Sequence, residues 1–416
     1  MKKLMLNNFP KNFYWGASTS AHQIEGNLKN NWSIWEKEHS IKESSFYKGD
    51  HLRSINYPRG KDNLKEATLK SNYISGKACD SYNKYKEDIQ VLKKLGLNSY
   101  RFSIAWSRIE PEKGKYSQEG IDYYKNLVKE LKDNNIEPFL TCWHWDIPVW
   151  LVEEGGLLSK NIVEYFSKYV NFLVKNLGDD VKYWITINEP LVFTSMAYIL
   201  GKWPPEKKNL FKAYRVGFVN LVNMHKEAYR TIKSFDKELK VSIAKNNQYI
   251  QPYNSFFLNK AIASILRYIN NYLFLDKVKD YLDYIGINYY THSMVGIRGL
   301  RNLNDRLSDM GWWMKPNSIF YVLKEVHDRY KLPIYITENG VADREGKYRQ
   351  WWLDETVEAM QETLEYGVDL RGYMHWSLLD NFEWSDGYWP RFGLATRDRK
   401  IKKSGWYYKD LIDKYR

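Results

Sequence analysis

Eight short apolar runs, each followed by a stretch of helical character, constrain this chain more than any other feature. The runs are Phe13–Trp15, Ser99–Ile104, Pro138–Cys142, Tyr183–Ile187, Val241–Ala244, Tyr284–Asn288, Ile334–Thr337 and Gly372–Trp376. Unbroken apolar runs of this length suit strands covered on both faces, as in a parallel sheet, rather than strands with one wet face. Between them, Tyr82, Tyr85, Ile89 and Leu92 fall on one face of a helix, as do Ile121, Tyr124, Val128 and Leu131. Eight strand–helix units predict an α/β fold, a single (β/α)8 TIM barrel. No Pro- or Ser-rich linker divides the chain, so residues 1–416 are read as one catalytic domain. An open doubly wound sheet is the alternative, but no Gly-rich dinucleotide turn follows the first strand. Residues 42–75 are polar, Lys-rich and weakly periodic, and are read as a long surface loop beside the barrel rim.

In such a barrel the loops after the strands converge over one mouth, and reactive groups gather at the C-terminal strand ends. Nearly every strand here ends in a polar or aromatic residue. Gln23 lies beyond strand one, Arg101 on strand two, His144 after three, and Asn188 and Glu189 after four. Asn288 and Tyr290 follow at strand six, Glu338 at seven and Trp376 at eight. Two carboxylates facing each other across a mouth are what glycoside cleavage requires. One protonates a poor leaving oxygen, and the other meets the cationic anomeric carbon directly or through water. Arg101 and Tyr290, aimed at Glu338, would stabilise its charged form. Burial beside a negative Glu338 would raise the pKa of Glu189, so that it starts protonated.

Composition removes other classes of function. The formal charge of +13 raises the prospect of a polyanionic partner, but lysines and arginines are dispersed and interleaved with acids, as in Lys125 to Lys132. A solvated basic surface accounts for them, and no nucleic-acid partner is expected. No apolar run approaches the ~18 residues of a membrane span. Met1 to Pro10 is too short in apolar residues for a secretory signal. The two cysteines, Cys79 and Cys142, make neither a disulfide framework nor a metal site, so a cytoplasmic setting without metal is expected. Seventeen Trp and 34 Tyr suit a site that stacks on sugar faces as well as a large core.

These residues fall into blocks that resemble glycoside hydrolase family 1. Thr186-Ile187-Asn188-Glu189-Pro190 and Ile336-Thr337-Glu338-Asn339-Gly340 resemble its two glutamate motifs, and Phe13 through Gly26 its N-terminal signature. Tyr100 to Ser103, His144 to Pro148, Gly286 to Tyr290 and Trp376 to Trp384 match further blocks, in family order over almost the whole chain. The resemblance implies retaining chemistry on a β-glycoside or short oligosaccharide, with no metal and no organic cofactor. It assigns acid/base to Glu189 and nucleophile to Glu338, supported by Arg101, Tyr290 and Asn288. Gln23, His144, Asn188, Glu383 and Trp384 would bind sugar hydroxyls, with Trp376 stacking beneath the ring and Trp312 or Trp313 on the leaving-group side. His22 and His375 are read as structural. The stretch from Lys245 to Asp283 is shorter than the family's usual one, and the polar segment after Trp35 is unusual. Both lie at the rim, where leaving-group preference is set.

Three alternatives stand beside a β-glucosidase that also takes galactosyl or fucosyl groups. A 6-phospho-β-glycosidase of the same family typically carries Ser, Lys and Tyr where this chain has Glu383, Pro390 and Phe392, and Glu383 would repel a dianion. A decayed sugar-binding copy should have lost a glutamate or its Arg and Tyr support, yet Glu189, Glu338, Arg101 and Tyr290 are all present. Transfer to an acceptor sugar uses the same intermediate as hydrolysis and is left open, as is an oligomer.

Overall fold

The computed structural model of the protein describes residues 9–49 and 57–416. Its centre is a closed barrel of β1 (Tyr14–Ser18), β2 (Ser99–Ser103), β3 (Glu137–Trp143), β4 (Tyr183–Asn188), β5 (Lys240–Asn246), β6 (Ile285–Tyr289), β7 (Ile334–Asn339) and β8 (Leu370–Trp376). Each strand pairs in parallel with its neighbours in chain order, and β8 returns to β1. All eight expected strands are present. Every residue of β2, β4, β6 and β7 is buried, which is why these strands read as unbroken apolar runs.

Long helices form the outer ring. Gln118–Asp133 is capped by the Ser117 hydroxyl, which accepts from the Gly120 N–H at 3.0 Å, and it buries Ile121, Tyr124, Val128 and Leu131 as its periodicity predicted. The lower half of the barrel interior is closed by rings. Tyr14, Phe139, Tyr183, Tyr284 and Tyr335 pack together with Ile185, Ala244 and Met374, and Phe139 stacks on Tyr183 at 4.3 Å. The barrel is therefore a filled floor with a site above it, not a channel.

The expectation of an irregular loop over residues 42–75 is corrected. A helix runs from Asn31 to Gly49, another from Lys61 to Ala67, and a 3-10 turn from Lys70 to Tyr73. Residues 50–56 of that expectation, like residues 1–8 of the leader reading, lie outside the described residues. The polar residues that weakened the periodicity are used in tertiary bonds. Glu66 pairs with Arg344 at 2.5 Å and Arg391 at 3.0 Å, and Asn72 bonds the backbone of Asp386 and Tyr388 at 2.9 and 2.8 Å. Ala67 and Tyr73 pack with Trp376, Trp389 and Phe392, so this segment backs one wall of the mouth.

Beyond β5 and β6 the chain adds a three-stranded rim sheet, from residues Tyr249–Pro252, His292–Gly296 and Gly299–Leu300, with the helix Phe257–Arg267 against it. Among the described residues no helix is long and apolar enough to cross a membrane, and Cys79 and Cys142 are both buried and free.

Candidate active site

Consecutive side chains on a strand face opposite ways, so two neighbours serve one site only where the alternation breaks. It breaks on the strands that carry the two glutamates. The pairing of β4 with β5 slips between Ile185 and Asn188, and that of β7 with β6 between Ile336 and Glu338. Glu189 follows β4 with φ 42° and ψ 61°, in the left-handed region that a side chain other than glycine's seldom enters. Asn188 and Glu189 consequently join the same network. Trp145 and Trp384 also have positive φ, 76° and 50°. Strained backbone of this kind clusters where surrounding structure holds it for a purpose.

Glu338 is gripped at both oxygens: Arg101 Nη1 donates to Oε1 at 2.5 Å and the Tyr290 hydroxyl to Oε2 at 2.6 Å. Arg101 is wholly buried, and donates its remaining bonds to Asn188 Oδ1 at 2.7 Å, Thr141 Oγ1 at 3.0 Å and the Thr337 carbonyl at 3.3 Å. Glu189 has a different environment. Its Oε1 accepts from Asn288 Nδ2 at 2.8 Å and Asn246 Nδ2 at 3.1 Å. Burial, and then the negative charge of Glu338, push its pKa up to about 7, against the opposing pull of Asn288, Asn246 and Lys245.

The cavity above these groups has a volume of about 240 Å³. Of the residues expected from the sequence, His144, Glu189, Tyr290, Trp312, Glu338, Trp376, Glu383 and Trp384 form its wall. Gln23, Arg101, Asn188 and Asn288 lie beneath it, fully buried. Gln23 holds the loop that carries Glu383, donating to the Phe382 carbonyl at 2.7 Å and to Glu383 Oε2 at 3.3 Å, while its Oε1 accepts from Ser20 at 2.6 Å. Asn188 Nδ2 donates to His144 Nε2 at 3.0 Å. Burial and the Arg101 charge hold the His144 pKa well below the usual value, so its ring is neutral. A neutral imidazole that accepts at Nε2 carries its proton on Nδ1. Among the described residues that buried N–H has no partner, a donor left for something that enters the cavity. Burial, and then Asp386 and Glu338, raise the Glu383 pKa well above the usual carboxylate range.

Trp384 is the hub of an aromatic group. His22 and His144 stack on it with centroids at 5.6 and 5.8 Å, and Trp32, Trp145 and Trp203 approach to 4.7, 4.8 and 6.3 Å. His22 bonds Glu36 at 2.7 Å and Asn30 at 3.1 Å, and His375 bonds Tyr373 at 3.2 Å. Neither histidine is on the cavity wall. Trp313 is buried but is not on the cavity wall, and its Nε1 donates to the exposed carboxylate of Asp305.

Several wall residues were missed from the sequence: Trp145, Met196, Trp203, Asn246 and Gln248. Asn246 was within reach, because it is the polar end of β5 and the same strand-end rule applies to it. Lys245, beside it, is fully buried, and its Nζ donates to the carbonyls of Asn246 and Asn270 at 2.5 Å each. Burial lowers its pKa to about 7. Among the described residues no group of three or more His, Cys, Asp or Glu is arranged to hold a metal ion.

The sequence matches the profile of glycosyl hydrolase family 1 over residues 5–279 and 274–416. It is 32% identical over 462 residues to the 1,4-beta-D-glucan glucohydrolase of Thermotoga neapolitana, covering 98% of each chain. It is 31% identical over 459 residues to beta-glucosidase A of Thermotoga maritima, covering 97% of each. The fold superposes on the beta-glucosidase from Thermotoga maritima in complex with glucoimidazole with a TM-score of 0.83, at 29% identity, over 98% of this chain and 99% of the other.

Proposed function

The chain belongs to glycosyl hydrolase family 1, and on that premise we propose that it is a retaining, exo-acting β-glucosidase. It releases terminal β-D-glucosyl residues, and also β-D-galactosyl or fucosyl residues, through a covalent glycosyl-enzyme intermediate. Its substrate is a β-glycoside or a short oligosaccharide.

The observation that carries this reading is the opposite treatment of two buried carboxylates. Glu338 accepts from a guanidinium and a phenol at 2.5 and 2.6 Å, the surroundings of a carboxylate that attacks. Glu189, with its pKa pushed up to about 7, holds a proton in the range where a poor leaving group needs one. In the first step a Glu338 oxygen bonds the anomeric carbon as the glycosidic C–O bond breaks, and the leaving oxygen takes the Glu189 proton. The glycosyl ester cancels the Glu338 charge, so the second cause of the raised Glu189 pKa disappears and Glu189 becomes the base. It then takes a proton from the water that attacks the anomeric carbon, and Glu338 leaves as a carboxylate. The Nδ1–H of His144 and the carboxyl of Glu383 meet sugar hydroxyls, with Gln23 fixing Glu383 and Trp376 and Trp384 flanking the ring. Asn188 keeps one amide N–H beyond its bond to His144 for the 2-hydroxyl.

The test is the Glu338→Gly variant on 4-nitrophenyl β-D-glucoside, β-D-galactoside and β-D-fucoside, with and without azide. The expected result is loss of turnover by the variant and its return with azide, giving an α-glycosyl azide. A parent enzyme that cleaves none of the three would sink the glucosidase reading. A rescued product of β configuration would sink the assignment of Glu338.

A further inference from the structure

A second concavity, a groove of about 470 Å³, adjoins the catalytic cavity at the rim. Both are lined by Gln248. The segment after Glu189 divides them. Val192 and Met196 face the cavity, while Leu191 and Ser195 face the groove. Gln248 is a fixed saddle between the two. Its backbone N–H donates to Asn271 Oδ1 at 3.1 Å, its carbonyl accepts from Asn271 Nδ2 at 2.8 Å, and its side-chain oxygen accepts from Ser293 at 3.0 Å.

The groove's chemistry differs from that of the cavity. Leu191, Ile199, Tyr214, Ile250, Leu266 and Ile269 dominate it, and among the described residues no Asp, Glu, Lys, Arg or His lines it. In a chain that is 27% charged, an uncharged concavity at the active-site rim is a local exception. Leu210 on its edge is 71% exposed and Ile269 44%, so apolar side chains are left facing water. An oligosaccharide would find few polar partners on such a floor. Hydrocarbon would displace water from it along the whole length.

We propose that this groove holds the aglycone of the substrate, an extended hydrocarbon chain joined through the glycosidic oxygen to the sugar in the cavity. The chain leaves the anomeric oxygen beside Glu189, crosses the Gln248 saddle and lies between the segment Pro190–Ile199 and the rim sheet. This rests on the β-glucosidase reading, because it takes the cavity to be the sugar site. Continuity with that cavity is what favours a substrate's aglycone over a second copy of the chain, which would have to enter a groove rather than cover a flat face.

The experiment compares n-alkyl β-D-glucosides from methyl to octyl, below their micelle concentrations, in the parent and in Ile269→Asp and Leu266→Asp. Once the chain passes the saddle, kcat/KM should rise about two- to fourfold per methylene, the range expected for burial of CH2 groups. The octyl-to-methyl ratio should collapse in both variants, which replace partly exposed side chains. In parallel, calorimetry measures binding of octyl and methyl 1-thio-β-D-glucoside, which resist cleavage. Tighter binding of the octyl compound with a more negative heat-capacity change is expected. Equal affinities would overturn the proposal whether or not the protein hydrolyses anything. Tight octyl binding without cleavage of any glucoside would retain the groove and sink the glucosidase reading. An unchanged ratio in both variants, with a monomer–dimer equilibrium that shifts instead, would give the groove to a second copy and overturn the proposal.

Discussion

Removing the Asn246 carboxamide should move the pH at which the enzyme loses activity without touching either glutamate. Asn246 Nδ2 donates to Glu189 Oε1 at 3.1 Å, and Asn288 donates to the same oxygen at 2.8 Å. A hydrogen bond to a charged group contributes ~1.5–3 kcal/mol. The Asn246 bond is at the long end of the normal range, and a second donor remains in Asn246→Ala, so about 1 kcal/mol is the appropriate share. One pKa unit corresponds to about 1.36 kcal/mol, which makes the shift about 0.7 of a unit. The sign follows from which form loses its partner. The donor stabilises the carboxylate, so its removal favours the acid and raises a pKa that already stands at about 7. Glu189 then keeps its proton to higher pH, and the descending limb of kcat/KM moves up by that amount. The assay is kcat/KM on cellobiose from about pH 5 to about pH 9, because a poor leaving group makes protonation count. A limb that stays in place or moves down, in a variant with parental thermal stability, would refute the reasoning.

Tyr290→Phe removes the hydroxyl 2.6 Å from Glu338 Oε2 and should lower kcat/KM about 10- to 150-fold at unchanged Tm, the range for one hydrogen bond to a charged group. Lys245→Met should also move the Glu189 limb upward, since the lysine cation favours the carboxylate. It has a stability signature as well. The folded Lys245 pKa is about 7 against a reference of 10.5, so between those values the unfolded chain binds more protons and stability rises with pH. The Tm gain from pH 7 to pH 9 should therefore be larger in the parent than in Lys245→Met, and equal gains would contradict the burial argument. Gly286→Ala would place a Cβ 2.7 Å from the Ile243 carbonyl and 2.9 Å from Thr337 Cγ2, between β5 and β7, and should lower stability by about 1–3 kcal/mol in urea denaturation.

The barrel was legible in the sequence because strands covered on both faces leave unbroken apolar runs, and β4 and β7 are buried from end to end. The glutamates were legible because strand ends are where such a barrel keeps polar residues. What failed did so for a common reason: side-chain polarity was read as exposure. Glu66 and Asn72 made residues 42–75 look like a loop, yet their charges and amides are spent on Arg344, Arg391 and the backbone near Asp386. Lys245 opens the polar stretch that the sequence placed at the rim, and it is fully buried with backbone carbonyls for partners. Aromatic residues hid their location in a different way. Tyr183 and Tyr335 plug the floor, while Trp145 and Trp203 line the mouth, and nothing in a ring's own chemistry separates these two employments.

The indoles around Trp384 give the molecule an optical property of its own. Trp32, Trp145, Trp203 and Trp384 form a connected set in which neighbouring centroids lie between 4.6 and 6.3 Å apart. At such spacings the electronic transitions of adjacent indoles mix, and fixed chiral placement turns that mixing into a circular-dichroism couplet. Trp145, Trp203 and Trp384 also face the cavity, so a molecule settling there changes the field in which those transitions occur. Occupancy of the site can thus be followed in undyed, unlabelled protein, by the light its own tryptophans absorb and emit.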